Sequence, residues 1–407
     1  MRILHVNKFF DFHGGAEVYL HELAERQQAQ GHDVHVFATR KPGTPPHADE
    51  QFSPKYHAYN EFEGPLEDAK KAVAYLWNRE ARQRFGQMLD EIKPDVIHLH
   101  NLYHHLSSSI LAEIRQRKLP CVQTLHDYKL ACPNYKMYTQ GSVCERCKDG
   151  DYTQAIKFRC LGTSFAANAL AVAEMHLTKA TTAYEKTVQA FICPSQFMRD
   201  KMVEWGEPAS KMVVAPNPTT MPAEPVTGGG GYVLSIGRLS AEKGVDLLIR
   251  GIAPVPMLPL LIIGRGPEET KLKQLAADLG ASHVQFLGFK HPSELPGYRA
   301  RAEAMLLGTK MYENASGVIL EGLASGLPCF ATNVGGNPEL IQHGETGWLL
   351  PPDDPAAWTE AFRAFQQLSP ERRREMGEKG RAFINAGRTW ERHLAQIEAI
   401  YQSVRPK

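Results

Sequence analysis

The sequence has no long apolar run. Its longest, residues 257–263, is interrupted by Pro259 and falls far short of the ~20 residues that a membrane-spanning helix needs, so the chain is not expected to cross a bilayer. It also has no excess of charge. Lys+Arg 46 against Asp+Glu 45 gives +1 at pH 7, so no overall field draws the protein onto nucleic acid or an anionic membrane, and an electrostatic partner must meet a local patch. The opening stretch Met1-Arg2-Ile3-Leu4-His5-Val6-Asn7-Lys8 has one early cation and too few apolar residues for a secretory h-region. It reads as a strand of a cytoplasmic protein. Seven cysteines in that compartment argue against a disulfide framework. No repeat of solenoid type is present, and low complexity is confined to one glycine run. What remains is 407 residues with 43% hydrophobic content, enough for a large core and, at about 150 residues per domain, for two or three units.

Short apolar runs alternate with longer amphipathic segments, which is the pattern of parallel sheets covered by helices. The fold class is therefore α/β, with two doubly wound domains in series. Strands are expected over 3–6, 34–37, 96–100, 121–125, 190–193 and 212–215, which gives a first domain over 1–216. Residues 217–231 carry Pro218, Pro222, Pro225 and four consecutive glycines, a composition that supplies neither core nor helix and reads as a linker. The alternation restarts with strands over 232–236, 260–263, 284–287, 304–307, 328–331 and 347–350, so a second domain is expected over 232–388. From 389 to the end, Trp390, Leu394, Ile397 and Tyr401 recur at helical spacing, which predicts a helix packing across the junction.

In open α/β sheets, ligands bind beyond the carboxyl ends of strands, where loops and helix N-termini supply backbone donors. Asp11-Phe12-His13-Gly14-Gly15-Ala16-Glu17 is the first such place. Its glycines suit either close approach to an anion or a tight strand-to-helix turn. Gly237-Arg238-Leu239-Ser240-Ala241-Glu242-Lys243-Gly244 is the second. Cations at a helix start are unfavourable unless an anion arrives there, so Arg238 and Lys243 suit a diphosphate better than a solvated helix start. Gly264-Arg265-Gly266-Pro267-Glu268 repeats the arrangement after the next strand, with glycines that serve the same crevice or only the backbone.

The stretch 312–328 carries Glu313 in a polar loop, Ser316-Gly317 opening an apolar helix, and Glu321 between Leu320 and Leu323. A buried carboxylate needs hydrogen-bond donors. Vicinal hydroxyls of a sugar or ribose are donors of that kind, and pairing with an Arg or capping of a neighbouring loop is the competing reading. Gly335-Gly336-Asn337-Pro338-Glu339 adds one more glycine turn, with Glu339 as an acid in a first helical turn.

Together, Gly237-Arg238 with Glu242-Lys243-Gly244, Ile263-Gly264-Arg265-Gly266-Pro267, Phe286-Leu287-Gly288, the Glu313/Glu321 pair and Gly335-Gly336-Asn337-Pro338-Glu339 resemble the donor domain of the family 4, or group 1, glycosyltransferases with a GT-B fold. The first domain is similar through Gly14-Gly15-Ala16-Glu17, residues 95–101, Thr124-Leu125-His126-Asp127 and Pro194-Ser195-Gln196-Phe197. The resemblance implies two Rossmann-like domains facing a cleft. Arg238 and Lys243 would hold the donor diphosphate, with Gly15, Gly237, Gly264, Gly266, Ser316 and Gly317 around the ligand. Glu313 would contact hydroxyls of the transferred sugar, Glu321 the ribose, and His126 the reacting centre. Asn314-Ala315-Ser316-Gly317 departs from the usual Gly-Phe-Gly type of loop, which bears on sugar choice. His100 and Asn101 would meet the acceptor or are ordinary loop polarity.

By the same resemblance the reaction retains anomeric configuration without a catalytic metal, and Asp149-Gly150-Asp151, away from any strand end, is a coincidental Asp-x-Asp. The activity implied is a cytoplasmic hexosyltransfer from a nucleotide diphosphate sugar to a saccharide or lipid-linked acceptor, in cell-surface polysaccharide or glycolipid synthesis. A nucleotide-sugar epimerase or hydrolase, or a silent nucleotide-sugar-binding module, uses the same scaffold. A silent module would be expected to lose Arg238, Lys243 or Glu321.

Two segments stand apart from the donor motifs. Cys132, Cys144, Cys147 and Cys160 cluster within an insertion over about 128–163, and Cys-x2-Cys flanked by two thiols suits a structural zinc site, against reduced unliganded thiols. The insertion is expected to border the acceptor cleft as a lid. Cys121, Cys193 and Cys329 lie in apolar strands and read as core residues. Residues 67–89 read as one amphipathic helix carrying Lys70, Lys71, Arg79, Arg82 and Arg84, which would rest on a membrane surface at the cytoplasmic face or pack on the core with a basic outer face.

Overall fold

The computed structural model describes residues 1–407 except 13, 45, 60, 227, 228, 406 and 407. His13 of the first glycine motif, and Thr227 and Gly228 of the expected linker, therefore lie outside the described residues.

Among the described residues, fourteen strands occur in chain order. They are β1 (Arg2–Val6), β2 (Asp33–Phe37), β3 (Val96–Leu99), β4 (Cys121–Thr124), β5 (Tyr138–Thr139), β6 (Ser142–Val143), β7 (Ala190–Cys193), β8 (Met212–Val214), β9 (Tyr232–Ile236), β10 (Leu260–Ile263), β11 (Val284–Gly288), β12 (Ala302–Leu307), β13 (Cys329–Thr332) and β14 (Gly347–Leu350). Twelve of them form two six-stranded sheets, ordered β2-β1-β3-β4-β7-β8 and β11-β10-β9-β12-β13-β14. Every pairing in both sheets is parallel. β5 and β6 make an antiparallel hairpin apart from them. The twelve strands of the two sheets follow the expected runs with ends displaced by no more than two residues, and the hairpin was not expected.

Both faces of each sheet are covered, which is why the strands read as continuous apolar runs. On one face of the first sheet Leu4, Ile97 and Leu99 pack with Phe85 and Met88. On the other, Ile3, Val96, Val122 and Ile192 meet Ile397, Ile400 and Tyr401. The helix Trp390–Val404, started by Thr389 accepting a hydrogen bond from the Arg392 amide, thus returns from the second domain to cover the first sheet. Burying each of these side chains stabilises the arrangement by roughly 2 kcal/mol. The second sheet buries Val233, Ile262 and Leu306 against Leu248 and Phe362, and Leu234, Ile263 and Met305 against Ile319 and Leu323.

Residues 217–226 and 229–231 lie along the second domain. The Thr219 amide donates to Arg388 O (2.9 Å), and Val226 donates to Ser325 O (2.8 Å). Residues 67–89 are not one helix. They divide into Pro65–Leu76 and Arg79–Ile92, because the Asn78 side chain accepts from the Ala81 amide (2.9 Å) and starts a new helix. Their cations are spent on neighbours: Lys71 pairs with Glu63 and Asp68, Arg82 with Glu113 and Arg84 with Glu80.

Candidate active site in the interdomain cleft

Each sheet reverses its strand order once, between β1 and β3 in the first and between β9 and β12 in the second. Crevices at such switch points are where open α/β sheets bind ligands. The two crevices face one cleft of about 830 Å³, lined by Lys8, Asn101 and His126 from the first domain and by Arg238, Lys243 and Glu321 from the second.

On the second-domain wall, Gly237 and Arg238 follow β9, and Arg238 is exposed. Lys243 reaches Glu313 Oε1 at 2.6 Å, with side-chain exposures of 31% and 12%. Burial opposes the Lys243 charge, but Glu313 outweighs it and the pKa is raised. Ser316 precedes the helix Gly317–Ser325, and an added Cβ at Gly317 meets nothing within 4 Å, so this helix N-terminus opens on the cleft. Glu321 is not enclosed among the leucines of its helix. Its side chain is 42% exposed, lines the cleft, and accepts from Arg299 Nη1 at 2.6 Å. Burial of its surroundings raises its pKa and Arg299 opposes the rise. The Arg pairing weighed from sequence is thus the contact observed.

Gly264 and Gly266 stand behind the wall instead of on it. A Cβ at Gly264, whose φ is +144°, would lie 1.8 Å from Gly237 O, and one at Gly266 would lie 2.2 Å from Leu239 O. Their role is close packing that sets the Arg238 loop. Gly15 lines the cleft, but the neighbouring helix N-terminus already has an anion: Glu17 Oε2 lies 2.3 Å from where a Gly14 Cβ would be.

On the first-domain wall, His126 follows β4. Its Nε2 is 2.9 Å from His100 Nδ1, His100 Nε2 is 3.1 Å from His5 Nδ1, and His5 Nε2 is 2.7 Å from Gln27 Oε1. Burial, with Lys8 adding to it, lowers His126 to a pKa of about 3, so the ring is neutral. His100 is fully buried behind His126 and reaches no acceptor, which corrects that expectation, whereas Asn101 does line the cleft. The Tyr103 hydroxyl lies between Asn101 Oδ1 and Asp127 Oδ1. Asp127, whose pKa burial raises, lines the cleft beside Lys8. Asp149-Gly150-Asp151 lies elsewhere: Asp151 accepts from Thr153 and Gln154 at the start of the helix Gln154–Lys157.

Several contacts across the cleft escape a reading of local sequence. Asn314 Nδ2 donates to His126 O (2.7 Å), so the unusual residue of the Glu313 loop ties that loop to the opposite wall. Lys136 bonds Glu242 (2.7 Å), and Tyr312 Oη donates to Glu145 (2.8 Å). The Glu339 carboxylate accepts from the amides of Gln196 (2.9 Å) and Phe197 (2.6 Å) and caps the helix Gln196–Glu204 of the other domain. No local pattern marks these pairs.

Comparison with known proteins gives two family matches: Glycosyltransferase Family 4 over residues 13–220 and Glycosyl transferases group 1 over residues 218–383. N-acetyl-alpha-D-glucosaminyl L-malate synthase of Bacillus anthracis is 24% identical over 96% of this chain and 94% of its own length. A GDP-mannose-dependent alpha-(1-6)-phosphatidylinositol monomannoside mannosyltransferase of Mycobacterium tuberculosis is 32% identical over 40% of this chain, which is 46% of that protein. Among solved structures, sucrose-phosphate synthase from Thermosynechococcus elongatus superposes with a TM-score of 0.72 at 20% identity, covering 99% of this chain and 98% of its own. Anabaena HepE in complex with UDP and glucose gives 0.69 at 18% identity, covering 99% and 100%.

Proposed function

The chain belongs to the family 4, group 1 glycosyltransferases with a GT-B fold, and from that premise we propose that it transfers a hexose from a nucleotide diphosphate sugar to a saccharide or lipid-linked acceptor with retention of configuration. The observation that carries this reading is the Lys243–Glu313 pair at the switch point of the second sheet, facing His126 through Asn314. Lys243 and the exposed Arg238 supply the charge for a diphosphate. Glu313 and Glu321, each held by one cation, have carboxylate lone pairs for sugar and ribose hydroxyls. Pro292 and Leu295, on the same cleft as Arg299, offer an apolar rest for the base.

Cleavage of the bond between the anomeric carbon and the phosphate oxygen leaves charge on the diphosphate, so catalysis gains most from donors fixed around that leaving group. Arg238, Lys243 and the amides at Gly317 act there, and no metal is required of them. The acceptor hydroxyl attacks from the face of departure. Its oxygen forms the new bond to the anomeric carbon, and its proton passes to the leaving phosphate oxygen. Neutral His126 accepts or donates a hydrogen bond to the sugar without adding charge.

A lipid-linked acceptor at the cytoplasmic face of a membrane accords with three exposed side chains at the first domain's edge: Phe62 (79%), Leu66 (70%) and Val73 (62%). Contact would be chiefly apolar, since Lys70, Lys71, Arg82 and Arg84 are paired, and vesicle co-sedimentation should persist at high salt. Thermal-shift measurements against UDP, GDP and ADP sugars, followed by product analysis with and without acceptor, test the activity. Conversion of the donor alone would instead identify an epimerase or hydrolase.

A further inference from the structure

The four clustered thiols of the 128–163 insertion converge in space. Cys132, Cys144, Cys147 and Cys160 line one largely enclosed cavity of about 10 Å³, walled also by Asn134 and Trp205. That volume matches about one water-sized probe, so it has room for a single ion and not for a side chain. The local backbone presents the thiols to it. After the hairpin β5–β6, the Cys144 amide donates to Met137 O (2.8 Å), Lys148 donates to Glu145 O (3.1 Å) and Gly150 donates to Cys147 O (3.0 Å). Cys144 and Cys147 therefore sit on one tight turn with both side chains on the cavity. Cys132 arrives from the loop after β4, and Cys160 from the turn that follows the helix Gln154–Lys157.

Tyr128, Leu130, Ala131, Cys132 and Met137 anchor the start of the segment in the first-domain core, but from Tyr138 onward little else holds it. Its regular structure is a hairpin with strands of two residues each and a helix of four residues. Tyr135, Met137, Gln140 and Arg159 all have positive φ, a conformation that costs non-glycine residues energy and persists only when the surroundings enforce it. From Tyr138 onward, the buried residues Cys147, Tyr152 and Ala155 join a small apolar cluster with Val172 and Met175 of the helix Phe165–Thr181. A unit of this size and irregularity ordinarily needs a staple.

We propose that Cys132, Cys144, Cys147 and Cys160 bind one zinc ion as a structural tetrathiolate site, and that the ion fixes a strap running from the first domain over the donor side of the cleft. Zinc takes four thiolates tetrahedrally at about 2.3 Å. Two of the thiols are drawn aside in the structure: Cys132 Sγ donates to Asn134 Oδ1 (2.9 Å) and Cys144 Sγ accepts from Arg146 Nη1 (3.3 Å). Tetrahedral coordination requires both sulfurs to leave these partners and turn onto the ion. All seven cysteines are free thiols, so no bridge competes for them.

The strap function follows from what lies between the ligands. Glu145, inside the Cys-x2-Cys turn, accepts from Tyr312 Oη and from Lys201 Nζ, each at 2.8 Å. Lys136, between Cys132 and the hairpin, bonds Glu242. Tyr312 adjoins Glu313, and Glu242 adjoins Lys243. The ion would thus set the two residues beside the proposed diphosphate and sugar contacts. That consequence rests on the donor reading, whereas the metal site does not.

Metal analysis of the full chain, purified with a thiol reductant and no chelator, is expected to give about one zinc per chain that survives gel filtration. Cobalt loaded in its place should show the absorption of a tetrahedral thiolate complex. Cys147→Ser should reduce bound zinc to background, while Cys193→Ala, a core thiol elsewhere, should retain it. Should Cys147→Ser fail to fold, the wild-type chain decides: mercurial titration must release zinc in step with loss of the clustered thiols. A folded, zinc-free chain, or one with disulfides inside the cluster, overturns the site. Stripping zinc should open tryptic cleavage at Arg146 and Lys148, and unchanged resistance overturns the strap. None of these readouts uses a nucleotide sugar, so they fail or succeed apart from the donor assignment.

Discussion

Lowering the pH from 7 to about 5.5 should cost the first domain several kcal/mol of stability, about 1 kcal/mol for each buried imidazole that stays neutral. His5, His98 and His100 have no exposed surface, and their rings lie within 5.4 Å of one another, centroid to centroid. Burial lowers His5 to a pKa of about 4 against the ordinary 6.5, a shift that its hydrogen bond to Gln27 Oε1 opposes. Burial holds His98 and His100 well below 6.5, and the neighbouring imidazoles press the same way. With folded values depressed, the unfolded chain binds protons that the folded chain refuses. The stabilisation is therefore complete above pH 6.5 and is lost as the pH falls through that value. Across this interval each imidazole held neutral costs about 1 kcal/mol, so these three cost roughly 3–4 kcal/mol, and His104, His105 and His126, which burial also depresses, add to the loss, against the roughly 5–15 kcal/mol that domains possess. Urea unfolding followed by circular dichroism at the two pH values measures it. His5→Gln should reduce the acid-induced loss by about 1 kcal/mol. An unfolding free energy that stays constant or rises on acidification would refute the neutral histidine stack.

Other perturbations address the second domain and its closure. Lys243→Met removes a cation and leaves Glu313, 12% exposed, without its partner; nucleotide-sugar affinity by thermal shift should fall ~30-fold, about 2 kcal/mol, and unchanged affinity would remove Lys243 from the diphosphate site. Gly264→Ala places a methyl 1.8 Å from Gly237 O at φ +144°, and a loss of about 3 kcal/mol is expected in denaturant unfolding; a loss well under that would mean the loop yields easily. Glu339→Gln weakens the cap on the helix Gln196–Glu204 by about 1 kcal/mol, so small-angle scattering without substrate should report a larger radius of gyration, and an unchanged radius would deny Glu339 a part in closure.

Strand positions were legible because a parallel sheet buried on both faces demands unbroken apolar runs, and 190–193, 232–236, 260–263 and 347–350 coincide with β7, β9, β10 and β14. The C-terminal helix was legible from its period alone, but its docking on the first sheet depends on Ile3 and Val122, hundreds of residues away. The break at Asn78 was hidden by an amphipathic pattern that runs through it, and only the cap on the Ala81 amide divides the helix. Glu321 was misjudged as enclosed because adjacent leucines place a residue on a helix without telling which face it takes. Glycine motifs are ambiguous for a related reason. Gly317 opens on the cleft, whereas Gly264 and Gly266 pack against backbone, and the need for a missing side chain looks the same in both. Contacts such as Glu339 with Gln196 join elements 143 positions apart and have no local signature.

The central claim is that the two switch-point crevices share one diphosphate sugar, neutralised by fixed cations. A crystal structure of the chain with a nucleotide diphosphate sugar tests it most directly. The account predicts the diphosphate within hydrogen-bond reach of Arg238 and Lys243, the ribose hydroxyls on Glu321, and the sugar between Glu313 and His126. A nucleotide bound outside the cleft, or a diphosphate held there chiefly by a metal ion with Arg238 and Lys243 turned away, would contradict it.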